Sequence, residues 1–148
     1  MKRIFLVIGF WLIFVSSSFA AGSCVLTHTA DVDIDGRKTV ELTCTGDGSI
    51  TAYTFVPGNF GVKGWYLYSV TTDPGTAPTA DYDITFLVNG EDIAGSLLLN
   101  RSATLTQTVV IAPTTLGYHI SKDDIVITFT NNTANPSVIV MTLRFVTN

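Results

Sequence analysis

From residue 24 onward the chain alternates apolar and polar side chains with a period of two. Val40, Leu42 and Cys44 alternate with Thr39, Glu41 and Thr43, and Tyr82, Ile84, Phe86 and Val88 with Asp83, Thr85 and Leu87. Ile125, Ile127 and Phe129 alternate with Val126, Thr128 and Thr130, and Ile139, Met141, Leu143 and Phe145 with Val140, Thr142, Arg144 and Val146. This is the pattern of half-buried β-strands, and no window sustains the three-and-four spacing of a helix. Threonine, which is β-branched yet polar, suits the solvent face of such strands. Turn residues separate the runs: Asp35-Gly36, Gly46-Asp47-Gly48, Pro57-Gly58-Asn59, Asn89-Gly90 and Asn131 to Pro136. Asn89-Gly90 is the strongest hairpin signal, since both residues tolerate positive φ. The pattern predicts about eight strands, near 25–34, 38–45, 49–56, 62–72, 82–89, 103–111, 124–131 and 137–147. That places the chain in the all-β class, as a single β-sandwich of Greek-key or jelly-roll-like type.

The first two dozen residues break this pattern. Lys2 and Arg3 precede the apolar run Ile4 to Val15, and Ser18-Phe19-Ala20 offers small residues for cleavage. This is the layout of a secretory signal peptide over 1–21, leaving a β-sandwich domain over 22–148. The run is shorter than the roughly 20 residues a membrane-spanning helix needs. Membrane association then requires either retention of this segment or acylation of Cys24, for which Ala21-Gly22-Ser23-Cys24 is an imperfect lipoprotein site. The expected location is secreted, periplasmic or cell-surface.

Loss of Lys2 and Arg3 moves the formal charge from -4 to -6. A chain so poor in cations is a bad match for nucleic acid, whose affinity comes from phosphate neutralisation. In an exported chain Cys24 and Cys44 are expected to form a disulfide. His28 and His119 do not supply the spacing that would make these cysteines a zinc site.

The stretch Asp31-Val32-Asp33-Ile34-Asp35-Gly36 matches the first half of an EF-hand loop. Position 12 of that pattern is Leu42, however, and Val32 and Ile34 alternate with the aspartates. The stretch therefore reads as an acidic strand face turning at Asp35-Gly36, with Asp31, Asp33 and Asp35 kept as a weak calcium candidate and no other metal expected. A turn drawn so tightly would place Cys24 opposite a residue near 49 rather than Cys44. Either the first strand bends or crosses to the other sheet, or the turn is wider.

Catalytic chemistry finds little support. His28 and His119 lack a Gly-x-Ser-x-Gly elbow or another recognisable partner and read as surface or edge residues. The pairs Asp81 with Asp83 and Asp123 with Asp124 stand at strand starts, where turn-forming roles are routine. No glycine loop that would cradle a phosphate is present, and no enzyme activity or cofactor is expected. The aromatic run Trp65, Tyr66 and Tyr68 raises a different question. Its two parities, Trp65-Leu67-Ser69 and Tyr66-Tyr68-Val70, cannot both be buried by a sheet covered on one face. Some of these rings are then packed under a loop or exposed as a contact surface.

Gly64 to Thr85, with its strand, Asp73-Pro74-Gly75-Thr76-Ala77-Pro78-Thr79 loop and Tyr82-Asp83-Ile84-Thr85 strand, resembles small phage and prophage proteins regarded as virion-associated structural proteins. Gly95 to Arg101 and Arg37 to Ile50 are similar in pattern to the same group. The resemblance implies a β-sandwich without catalysis, serving in assembly or at a surface, with a virion as the alternative location. The leader departs from that pattern and allows a secreted relative of the same fold. Cys24 together with Thr39 to Cys44 also looks like the first disulfide-linked strands of secreted pilin-like or spore-coat-U-like domains. The expectation is an exported structural protein with protein partners or self-association. The alternative is a glycan- or protein-binding module, or a pilin-like surface subunit, working through Trp65, Tyr66 and Tyr68.

Overall fold

A computed structural model describes residues 23–30, 36–46, 51–75, 81–111, 117–121, 123–130 and 137–147. Ten strands follow in chain order: β1 Ser23–Ala30, β2 Arg37–Gly46, β3 Thr51–Phe55, β4 Tyr66–Pro74, β5 Asp83–Val88, β6 Glu91–Asp92, β7 Gln107–Val110, β8 Tyr118–His119, β9 Ile125–Thr130 and β10 Ser137–Val146. One sheet runs β1-β2-β10-β4-β7, with β8 also paired to β4, and the other runs β3-β9-β5-β6. All pairings are antiparallel. The all-β sandwich is therefore the observed fold. Each of the eight expected strands has a counterpart, and the additions are the two-residue strands β6 and β8.

The core is the set of inward parities read from the sequence. Val40, Leu42, Cys44, Ile139, Met141, Leu143 and Phe145 from one sheet meet Phe55, Tyr82, Ile84, Phe86, Ile125, Ile127 and Phe129 from the other. Phe55 stacks between Phe60 and Phe145, at centroid distances of 4.4 and 6.0 Å, and so joins the two layers. Full burial of side chains this large is the main stabilising term, at about 2 to 3 kcal/mol each.

Two strands begin later than expected, each for a local reason. The fourth strand begins at Tyr66 rather than 62, because Pro57–Phe60 forms a 3-10 turn closed by Gly61 at φ 63°, and Gly64 follows at φ 84°. The seventh begins at Gln107 rather than 103. There the Ser102 hydroxyl accepts from the main-chain N–H groups of Thr104 and Leu105, while Gln107 Oε1 accepts from Ser102 N. Of the first strand's expected span, residues 31–34 lie outside the described residues. Ala30 lies opposite Thr39, and a bulge between Leu26 and His28 leaves Cys24 directly opposite Cys44. This pairing corrects the register that would set Cys24 opposite a residue near 49; the turn itself lies outside the described residues.

Cys24 and Cys44 form the expected disulfide, with Cα atoms 3.9 Å apart. An intramolecular disulfide is compatible with an extracellular or periplasmic location. Residues 1–22, including the leader, lie outside the described residues. No helix among the described residues is long and apolar enough to cross a membrane. Asn89 and Gly90, at φ 52° and 85°, make the predicted two-residue hairpin between Val88 and Glu91.

Candidate functional site

The aromatic run sits where β4 begins. Gly64 N donates to Ile120 O at 2.7 Å, and Ile120 N donates to Trp65 O at 2.7 Å, so the approach to β4 is tied to the end of β8. Within the paired strands Tyr66 faces His119 and Leu67 faces Tyr118. A Cβ on Gly117, whose φ is +93°, would collide with the Leu67 carbonyl, so this close approach requires glycine.

The parity conflict is settled by a β-bulge. β10 presents Phe145 to Leu67 and Arg144 to Ser69, which makes Tyr68 the extra residue on β4. The bulge switches the inward parity, so Leu67 below it and Val70 and Thr72 above it are all buried. It leaves Tyr68 37% exposed. The three candidate aromatics are consequently split. Trp65 packs against the core, Tyr66 is half-buried with its ring edge-on to His119 at 5.0 Å, and Tyr68 stands out at the bulge. They form no continuous row of exposed rings.

Beside Tyr66 and His119 lies an open hollow of about 510 Å³, lined by Lys63, Gly64, His119 and Ser121. The Ser121 hydroxyl donates to Asp123 Oδ2 at 3.2 Å. That carboxylate also accepts from Asn89 Nδ2 at 3.3 Å, so Asp123 braces a surface turn rather than orienting an imidazole. A cation, an imidazole and a hydroxyl around a shallow, mostly apolar hollow suit contact with a polar ring or chain better than proton transfer. The sequence marks His119 only as a surface or edge residue. Its ring partner Tyr66 lies 53 positions away in the chain, and no local spacing signals the pair.

A second polar cluster is internal. Arg101 and Tyr82 form an isolated bridge by exchanging main-chain hydrogen bonds, 2.7 Å from Arg101 N to Tyr82 O and 3.0 Å in the other direction. The buried Arg101 guanidinium donates to Thr72 Oγ1 on β4 and to the Gln107 carbonyl on β7. A hydroxyl and a carbonyl thus hold this cation where a carboxylate would be usual. Burial lowers its pKa, an effect partly opposed by Tyr82. The Tyr82 hydroxyl is buried with no hydrogen-bond partner among the described residues. Burial raises its pKa above 10.0, with the Arg101 charge pulling the other way.

Asp81 Oδ1 accepts from Ala103 N and Asp83 Oδ1 from Asn100 N, which are the turn-forming roles expected of that pair. Asp92, which no sequence pattern marked, accepts from both Phe86 N and Ala94 N and fixes the end of the β5–β6 hairpin. Asp31, Asp33 and Asp35 lie outside the described residues. Among the described residues no group of three His, Cys, Asp or Glu side chains is placed to hold a metal ion. Comparison with protein-family models, with curated proteins and with solved structures finds no match to this chain.

Proposed function

We propose that this chain is an exported, non-enzymatic structural or assembly subunit, which works by presenting surfaces to protein partners or to its own copies. The observation that carries this reading is where large apolar side chains remain in solvent. Four of them line the two edges of one sheet: Val25 at 55% and Leu26 at 46% on β1, Val110 at 45% on β7, and Leu105 at 64% just before it. Leu97, Leu99 and Tyr68 are exposed elsewhere. Sheet edges carry unpaired main-chain groups, and apolar side chains beside them favour strand addition. The leader pattern and the disulfide support export. The phage-like and pilin-like resemblances point the same way, towards particle or surface assembly.

The second reading is a secreted binding module. Its support is the hollow beside Tyr66 and His119, with Tyr68 exposed nearby, and its ligand would be a glycan or an extended peptide. Light scattering coupled to size-exclusion chromatography separates the two when run on protein expressed as the full chain and isolated after processing. Self-association gives a mass that is a multiple of one chain. A strictly monomeric protein that binds a glycan array, and loses that binding with Tyr68→Ala, would overturn the assembly reading.

A further inference from the structure

We infer that β1 is the self-association edge, and that two copies join there antiparallel about a two-fold axis near Leu26. This inference rests on the assembly reading and names its surface. Among the described residues the four sheet edges are unequal. β6 has two residues, β7 has four, with the two-residue β8 paired to the same strand β4, and β3 has five. β1 has eight, with no charged residue among Ser23 to Ala30, and its one blunting device is the bulge at Thr27. Natural proteins shorten, charge or cover their sheet edges to prevent pairing. This edge is long and uncharged.

Leu26 strengthens the case. It lies opposite Leu42, which is fully buried, so it faces the core side of the sheet. Yet nearly half of its surface remains open. The core layer is therefore unfinished at this edge, and a second copy would complete it by bringing its own Leu26 alongside.

Strand direction selects the symmetry. The path β1-β2-β10-β4-β7 is antiparallel at every step, so its first and last strands run the same way. Copies related by translation would meet β7 to β1 in parallel. Copies related by a two-fold axis normal to the sheet meet β1 to β1 antiparallel, the more stable pairing. That operation also keeps both core faces on one side, so the two Leu26 side chains share a face.

Charge exchange at Leu26 tests the seam. Leu26→Lys and Leu26→Glu should each raise the dissociation constant at least about tenfold. An equimolar mixture of the two should associate again, since the opposed charges meet across the axis. Val25→Lys, on the outer face of the same strand, should also dissociate the protein, and Val110→Lys on β7 should not. Circular dichroism checks that each variant is folded. If the parent associates and the β1 variants associate equally well, the β1 seam is overturned while the assembly reading stands. If the parent is monomeric up to about 0.1 mM, the seam is overturned together with self-association, and the assembly reading is left with other protein partners alone.

Discussion

Arg101 donates twice to the single hydroxyl of Thr72, from Nε at 3.0 Å and from Nη2 at 2.9 Å. Thr72 belongs to one sheet, while the main chain of Arg101 is bridged to Tyr82 at the threshold of the other. The pair thus fastens the two layers where the chain passes between them. Thr72→Val keeps the shape but removes the acceptor, leaving a buried cation short of partners. A loss of about 3 kcal/mol is expected in urea denaturation, and Arg101→Lys, which cannot reproduce the fork, should lose a similar amount.

Tyr82 makes the opposite prediction. Thr72 Oγ1 already accepts twice from Arg101, and the Tyr82 hydroxyl is left without a partner. Removing it with Tyr82→Phe relieves a desolvation cost, so stability at pH 7 should stay within about 1 kcal/mol of the parent or exceed it. The same burial sets a pH dependence. Because the folded pKa is raised above 10.0, the stability linked to Tyr82 is fully present below pH 10.0. It is lost as pH rises through the higher folded value, since the unfolded chain ionises first. Denaturation midpoints measured across the alkaline range should fall more steeply for the parent than for Tyr82→Phe.

The disulfide links residues 20 positions apart. Its reduction should cost about 3 kcal/mol by the loop-entropy account. Thermal unfolding with and without a thiol reductant should show Tm lower by roughly 10 °C in the reduced protein. Because Cys24 anchors the start of β1, that strand should be the first to lose amide protection.

Phe55 occupies the centre of a three-ring stack with Phe60 and Phe145. Phe55→Ala would open a cavity between the layers and is expected to cost about 4 kcal/mol in denaturant. A loss below about 1 kcal/mol would show that the layers are held mainly elsewhere.

The fold was legible because period-two alternation acts over whole strands. Val40-Leu42-Cys44 and Ile139-Met141-Leu143-Phe145 are buried as their parity required. What escaped depends on contacts between distant segments or on displacement by a single residue. The bulge at Tyr68 is set by its β10 neighbours, and the sequence shows only the conflict of parities there, not which residue is extra. The Ser102 turn trims β7 through side-chain bonds to main-chain N–H groups, which hydropathy does not register. The Tyr66–His119 contact and the Arg101–Thr72 bond join residues far apart in sequence. Of the expected aromatic surface only Tyr68 stands well out into solvent, because the core claims Trp65 and His119 covers one side of Tyr66.

Amide hydrogen exchange as a function of protein concentration tests most directly whether this molecule acts through its open sheet edge. Exchange in Ser23–Ala30 should slow as concentration rises, while the edge strands Glu91–Asp92 and Gln107–Val110 keep the same rates. Rates along Ser23–Ala30 that do not change with concentration would contradict the account.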